Sequence, residues 1–233
     1  MSPARSSVPR ASIAPLLHES LGERVYRTVR DLILSQVFPP GSKLNVEQIC
    51  RDLGVSRTPV WDTMRRLESE GLVNTVPRHG VFVLNYGVDQ IRDLFAVRGA
   101  LEALAVRQAA QNLDEEARAG LEASMKDMER AAAAGSMEQY SRSAIEFHDR
   151  VLAAAQNQVL GRLLENVYAQ ILVLRLRSLY LPERVESSVA EHRELFEAVR
   201  AGDADRGERL ARAHADHVLQ DALEFTRRAG PGR

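Results

Sequence analysis

The sequence has few of the residues on which several common classes of protein depend. Its 233 residues include one cysteine, Cys50, which excludes an internal disulfide bond and a zinc site built from several cysteines. Aromatic residues make up 5%, whereas 45% are hydrophobic and 27% charged, which favours amphipathic helices over a β-sandwich. No apolar run approaches about 20 residues, the length that crosses a bilayer, and residues 1–20 lack an apolar segment of signal-peptide length. We therefore expect a cytoplasmic protein without a membrane partner.

The two halves of the chain differ in charge, although the net charge is −1. Residues 22–85 contain nine basic and seven acidic residues, whereas residues 86–233 contain 20 basic and 24 acidic residues. A basic front half joined to an acidic back half is compatible with a nucleic-acid-binding unit fused to a unit of another kind.

The front part of the chain shows three helical patterns that are separated by turns. Apolar residues recur at helical spacing over about residues 22–34, 45–54 and 56–70. Asn45 and Gln48 have the spacing of a capping box, and Ser56 is placed to cap the third helix. The turns between the helices are marked by Pro39-Pro40-Gly41 and Gly54. The short second and third helices predict a helix–turn–helix.

Two short alternating segments follow the third helix. They cover residues 72–76 and 81–84, and Pro77-Arg78-His79-Gly80 lies between them as a turn. Three helices and a two-stranded hairpin predict a winged helix–turn–helix domain over residues 22–86. Residues 1–21 are rich in Ser, Pro and Ala and are predicted to form a flexible arm.

The back half shows an almost continuous helical pattern, interrupted by short breaks that offer caps or helix stops. Because such short loops require antiparallel neighbours, the pattern predicts an antiparallel six-helix bundle within residues 87–228 and a tail at 229–233. The fold class is therefore mainly α. The predicted bundle helices cover about residues 89–111, 114–133, 137–155, 159–180, 183–201 and 204–228.

The third helix carries the residues that point to DNA. Its amino terminus favours phosphate through free N–H groups and the helix dipole, and Arg57, Trp61 and Arg65 fall on one face at i, i+4 and i+8. The alternative is a solvated surface of a helical domain that contacts protein. The predicted DNA-contacting residues of the helix and of the hairpin turn are Ser56, Arg57, Thr58, Trp61, Arg65, Arg78, His79 and Gly80.

These motifs closely resemble the GntR family of bacterial transcription regulators. The matching motifs are Pro39-Pro40-Gly41, the GVSRTPV run from Gly54, Arg65-Arg66-Leu67-Glu68, Glu70-Gly71-Leu72-Val73 and Arg78-His79-Gly80-Val81-Phe82-Val83. The back half resembles the all-helical FCD effector domain of the FadR-type subfamily. That likeness rests on Arg98-Gly99-Ala100-Leu101-Glu102, Phe147-His148, Asn157, Glu191-His192-Arg193, Gly202-Asp203 and His214.

The resemblance implies a homodimer that binds double-stranded operator DNA and responds to a small metabolite, an organic acid. Repression is the commoner activity of the family. Residues 87–228 would bind the effector and hold the dimer together. The ligand's effect is expected to pass through the first bundle helix, which follows the wing after a short linker.

One position of the third helix departs from the family. Trp61 stands where relatives usually have an arginine that takes part in DNA contact. An indole has one N–H donor and cannot make a bidentate contact with guanine. DNA binding is therefore expected to persist with a different operator preference. The alternative is that Trp61 packs on a neighbouring helix or on the wing.

Three histidines lie on three different predicted bundle helices: His148, His192 and His214. Their spacing does not show that they converge. The resemblance implies that they bind one divalent ion such as Zn, Ni, Co or Mn, metals that neutral imidazole suits. The chain again departs from the family, since Ala144 occupies the position of the usual aspartate ligand. A site with three histidines would hold the metal more weakly and be more cationic.

Two arginines are candidates for binding an organic anion. Arg98 matches the family arginine of the first bundle helix and could clamp a carboxylate, or it could instead form an ion pair with Glu102, four residues on. Arg175 lies among apolar residues of the predicted fourth bundle helix.

Two other functions compete with a regulator. A metal-dependent enzyme would use the histidines, but the sequence has no Ser nucleophile motif, Walker loop or glycine-rich dinucleotide fingerprint. A helical interaction scaffold would leave the third helix and the wing without a role in DNA binding. We therefore expect a protein that is not an enzyme.

Overall fold

The computed structural model describes residues 20–174 and 182–229, with side chains described through residue 174 and from 184 to 224. Nearly all of the predicted arm and tail, and Arg175, lie outside these residues. The elements in chain order are α1 (Leu21–Leu34), β1 (Lys43–Leu44), α2 (Val46–Leu53), α3 (Arg57–Ser69), β2 (Val73–Val76), β3 (Gly80–Val83), α4 (Val88–Asn112), α5 (Glu115–Ala133), α6 (Met137–Ala154), α7 (Gln158–Val173), α8 (Pro182–Arg200) and α9 (Ala204–Ala229).

Of the two N-caps predicted for α2 and α3, the structure contains the first as a hydrogen bond but not the second. The Asn45 side chain accepts a hydrogen bond from the backbone N–H of Gln48 at 3.0 Å, and α2 ends at Gly54 with a left-handed φ of 65°. Ser56 occupies the N-cap position of α3, but its side chain makes no capping hydrogen bond. The Ser56 hydroxyl therefore does not cap the backbone N–H groups in the first turn of α3.

The wing has one strand more than the sequence predicts. Strands β2 and β3 pair antiparallel, with Val73 opposite Val83, and β1 joins the other edge of β3 with Lys43 opposite Phe82. The sheet order is β1-β3-β2. A strand of two residues is too short to show an alternating pattern, and its pairing spans almost 40 residues of chain.

The front elements share an apolar core to which the back half contributes. Val29, Ile33, Val60 and Leu67 are fully buried between α1 and α3. Ala169 and Val173 of α7 belong to the same core. The helix–turn–helix unit therefore sits directly on one helix of the bundle.

The six helices α4–α9 pack around a second core that includes Leu121, Phe147 and Leu195. Small residues bring α4 and α9 close together, since a Cβ at Gly99 would meet the Ala215 Cβ at 3.2 Å. The mainly α fold class, a winged helix–turn–helix followed by a helical bundle, is confirmed. The helix predicted to reach residue 180 ends at Val173, and residues 175–181 lie outside the described ones.

No helix within the described parts of the chain is long and apolar enough to cross a membrane.

Candidate DNA-reading surface and metal centre

The outer face of α3 carries the residues predicted to contact DNA. Val60, Met64 and Leu67 are buried, whereas Arg57, Trp61 and Arg65 are exposed on the opposite face. This division follows from helical spacing, because residues at i, i+4 and i+8 share a side. The face is therefore available to a partner molecule.

The cationic side chains of this face are held by exposed carboxylates. Arg57 Nη2 lies 2.7 Å from Glu47 Oε1, and Arg65 Nη1 lies 3.2 Å from Asp62 Oδ1. Exposed ion pairs of this kind stabilise a fold little, so a phosphate can replace the carboxylate at small cost. The Trp61 side chain is 38% exposed and is not buried against a neighbouring helix.

The tip of the wing brings three predicted residues together. Arg78 and His79 are exposed, with left-handed φ at Arg78 (63°) and positive φ at Gly80 (113°). A Cβ at Gly80 would come within 2.9 Å of Lys43 Cε, so glycine allows the lysine to cross the tip. Lys43 was not predicted from the sequence, because nothing local indicates that β1 pairs with β3.

The three histidines converge inside the bundle. His148 of α6, His192 of α8 and His214 of α9 each offer a ring nitrogen, and these atoms lie within 4.8 Å of one another. The Nε2 atoms of His148 and His192 are 3.2 Å apart. Two nitrogens bound to one zinc ion at about 2.0–2.1 Å lie about 2.8–3.4 Å apart for angles between 90° and 109°. The spacing therefore fits a shared ion.

Outer partners orient two of the rings. The Nδ1–H of His192 donates to the Ser188 carbonyl at 2.7 Å, which leaves Nε2 with a lone pair. His214 Nδ1 lies 2.7 Å from Glu191 Oε2. A carbonyl and a carboxylate in these places are the usual outer partners of histidines that bind metal.

Glu191 is a residue of this site that sequence analysis did not assign. Its other oxygen is 2.9 Å from Nδ1 of the exposed His217 and 3.0 Å from Arg184 Nη1. Burial alone would raise the pKa of Glu191, but hydrogen bonds with His214 and Arg184 outweigh it and lower the pKa to about 2. The carboxylate is therefore charged. Its role depends on α8 and α9 meeting, which no local pattern reveals.

Burial keeps two of the histidines neutral. It lowers the pKa of His148 to about 4, although attraction to Glu102 opposes the shift. The pKa of His192, which is 2% exposed, falls well below its usual value, chiefly because of burial and then because of His214. Neutral imidazole is the form that binds a metal. Ala144 supplies no donor atom, so the three histidines alone fit a divalent ion.

Arg98 and Glu102 form a buried ion pair on α4. Arg98 Nε donates to Glu102 Oε1 at 2.9 Å, and the Tyr168 hydroxyl donates to the same oxygen at 2.7 Å. Burial would raise the pKa of Glu102, but the charge of Arg98 lowers it to about 2. The Arg98–Glu102 ion pair, the alternative that the sequence left open, is therefore present. A role of Arg98 in effector binding stays a prediction. Arg175, the other predicted effector-binding residue, lies outside the described residues.

Two protein-family models match the chain. The model described as the FCD domain matches residues 93–217. The model described as bacterial regulatory proteins, gntR family, matches residues 21–83.

Similar proteins are known as transcription regulators. The HTH-type transcriptional regulator YdhC of Bacillus subtilis (strain 168) is 29% identical over 193 residues, 82% of this chain and 86% of YdhC. The HTH-type transcriptional repressor RspR of Escherichia coli (strain K12) is 24% identical over 207 residues, 89% of this chain and 91% of RspR. The solved structure of E. coli McbR/YncC is similar with a TM-score of 0.72 and 20% identity, covering 89% of this chain and 99% of that one. At that identity the likeness concerns the fold alone.

Proposed function

Because the chain belongs to the GntR family of bacterial regulatory proteins and carries an FCD domain, we propose that it is a ligand-responsive repressor. It binds operator DNA as a homodimer in the cytoplasm and senses a small organic acid beside a metal ion. The chain is a DNA-binding transcription regulator, and its relatives confirm the prediction that it is not an enzyme.

The outer face of α3 is the observation that supports DNA reading by this chain. Arg57, Trp61 and Arg65 are exposed together next to an N-terminus whose N–H groups attract phosphate. Arg57 is placed to contact a phosphate or a guanine edge, and Trp61 to touch a thymine methyl group or the backbone. Arg78, His79, Gly80 and the neighbouring Lys43 would lie over the adjacent backbone or minor groove.

The histidine cluster is the proposed metal centre. His148, His192 and His214 would hold one divalent ion, with zinc, nickel, cobalt and manganese as the metals that imidazole suits. The ion would supply fixed positive charge that attracts a carboxylate. His192 and His214 are held in orientation by Ser188 and Glu191.

The charge around this centre favours an anionic effector. Arg98 is buried beside the centre, and an organic acid that contacts it would share or replace the Glu102 carboxylate. The proposed effector is therefore a small carboxylic acid.

Exposed apolar side chains on two neighbouring helices support a homodimer. Hydrogen bonds from Asn157 to Gln108 and from Tyr168 to Glu102 show that α4 and α7 run antiparallel side by side. Both helices expose large apolar residues of the kind that subunit interfaces bury. These are Val97, Leu104, Val159 and Leu163.

The ligand's effect on DNA binding has a route through α7 in addition to the predicted route through α4. Tyr168 donates to Glu102 near the histidines, and Gln170 donates to the Glu70 carbonyl at the end of α3. A ligand that changes α7 would therefore change the seating of α3 and shift the population of the DNA-binding arrangement.

The test is binding of the purified chain to the DNA upstream of its own gene. The dissociation constant should rise steeply with salt if several phosphates are contacted. Arg57→Ala should weaken binding by about 1–3 kcal/mol if the arginine contacts a base. Arg142→Ala, which removes an exposed arginine from α6, is the matched control and should leave the constant unchanged.

Two results would contradict this proposal. An unchanged constant for Arg57→Ala would remove that residue from the contact surface. Failure of the wild type to bind any upstream fragment at low salt, with and without organic acids, would favour the interaction-scaffold alternative.

A further inference from the structure

One carboxylate oxygen near the histidines has no partner. Among the described residues, the buried side-chain oxygens that lack a hydrogen bond are Ser42 Oγ and Glu102 Oε2. Glu102 is 4% exposed, and its charge is retained because Arg98 holds the pKa at about 2. Leaving a charged acceptor unsatisfied in the interior costs more than leaving a neutral one. An oxygen of this kind indicates a water molecule or ion beside it.

The surroundings of Glu102 place its side chain near the histidines. Glu102 and His148 are close enough for each to shift the pKa of the other. Tyr168 donates to Glu102 Oε1, and its ring centroid lies 6.4 Å from that of His148. With Oε1 occupied by Arg98 and Tyr168, Oε2 is the acceptor that remains.

The charge balance of the centre calls for such an anion. Histidines bind a metal as neutral imidazole and so add nothing to the charge of a divalent ion, and Arg98 adds one more positive charge nearby. Ala144, one helical turn before His148, contributes no charge. Uncompensated charge inside a protein is costly. Glu102 is a buried carboxylate that offsets one of these three positive charges.

We propose that Glu102 supplies the anionic partner that Ala144 lacks, with Oε2 accepting a hydrogen bond from a water molecule bound to the metal ion. This inference rests on the metal centre of the proposed function. The group of mutually close ligand atoms consists of the three histidines, so the carboxylate acts through water and is a positioning residue.

The test compares zinc affinities, measured by competition with a chromophoric chelator. Glu102→Gln keeps the size of the side chain and an oxygen for Arg98 and Tyr168, but removes the charge. We expect zinc binding to weaken by about 10–100-fold, the usual effect of losing an outer partner. Glu138→Gln removes an exposed carboxylate on α6 and should leave the affinity unchanged.

A second substitution separates a metal role from a structural one. Ala144→Asp in the Glu102→Gln background should restore most of the lost affinity, because it returns a carboxylate to the centre from α6. A merely structural loss around Arg98 would not be restored. If Glu102→Gln does not fold, Glu102→Asp keeps the charge but draws the carboxylate back, and the same loss and rescue are expected.

The outcomes distinguish this inference from the function on which it rests. Equal zinc affinity of the wild type and Glu102→Gln, or no rescue by Ala144→Asp, overturns the role of Glu102 and leaves the metal centre standing. A wild-type chain that takes up no zinc overturns the metal centre and this inference together. Operator binding by such a chain would leave only the DNA-binding part of the proposal.

Discussion

The two ring nitrogens of His192 have different partners. Nδ1–H is fixed by the Ser188 carbonyl at 2.7 Å, so Nε2 faces His148 with its lone pair. Neutral His148 carries its ring proton either on Nε2, which then donates to His192 Nε2 across the 3.2 Å gap, or on Nδ1. Because burial lowers the pKa of both rings, a second proton on either ring is disfavoured at neutral pH. With the His148 proton on Nδ1, both Nε2 lone pairs face the same point, which is the arrangement that a bound metal cation requires.

Replacement of His192 by alanine should abolish metal uptake. The change leaves two histidines, which lack the third donor that the centre needs. Elemental analysis after zinc loading and gel filtration should show about one ion per chain in the wild type and a value near background in the variant. His79→Ala removes an exposed histidine from the wing tip and is the matched control.

An equal zinc content of the wild type and His192→Ala would contradict the three-histidine centre. Because His192→Ala also removes a buried ring, it could destabilise the fold without any metal. The unfolding of the wild type and the variant should therefore be compared in the presence of a chelator. A variant that unfolds cooperatively without metal yet takes up none supports the centre.

Single residues were predictable from the sequence where their partners are local. The Arg98–Glu102 pair spans four residues of one helix, and the Asn45 cap spans three. The convergence of His148, His192 and His214 was suggested only by resemblance, because it depends on how three helices pack. Glu191 was missed as a site residue for the same reason.

At the scale of elements, α7 belongs to both halves of the molecule. Ala169 and Val173 are buried in the core of the front unit, while Leu160 and Leu164 are buried in the bundle. Gln170, which follows Ala169 directly, donates to the Glu70 carbonyl and accepts from the Tyr86 hydroxyl. The helix therefore fixes the helix–turn–helix to the bundle.

Gln170→Ala should weaken this attachment. It leaves the Glu70 carbonyl and the Tyr86 hydroxyl without these partners, a loss of about 1–3 kcal/mol. The single tryptophan, Trp61, lies on α3, so its fluorescence reports the front unit, whereas far-UV circular dichroism reports mostly the bundle helices. The fluorescence transition in urea should move to lower concentration and separate from the dichroism transition.

Gln158→Ala is the matched control, because it removes an exposed glutamine from the first turn of the same helix. Coincident transitions at the wild-type midpoint for Gln170→Ala would show that these hydrogen bonds do not attach the front unit.

The helices were predictable as elements, whereas their docking was not. Periodicity and caps are local, so the predicted bounds of α4, α5 and α6 differ from the structure by at most one residue. The strand β1 is defined by pairing with β3, and its two residues carry no period of their own. The predicted end of α7 at residue 180 followed continued apolar spacing, but the described helix ends at Val173.

At the scale of the whole molecule, the exposed apolar residues of α4 and α7 predict how two chains meet. Leu104 of α4 is 39% exposed and Leu163 of α7 is 49% exposed. Soluble monomers bury or scatter such residues, whereas a symmetric dimer covers the same surface on both subunits. A dimer also places two copies of α3 for two operator half-sites.

Leu104→Glu should convert a dimer into a monomer, because each interface would then bury two unpaired charges, one from each subunit. Light scattering during gel filtration should give twice 25.9 kDa for the wild type and 25.9 kDa for the variant. Operator affinity should fall with the loss of the second half-site contact.

Val37→Glu, at an apolar residue that is 63% exposed outside both helices, is the control and should remain dimeric. A dimeric Leu104→Glu would move the interface away from this part of α4, and a monomeric wild type that still binds its operator would remove the dimer from the proposal.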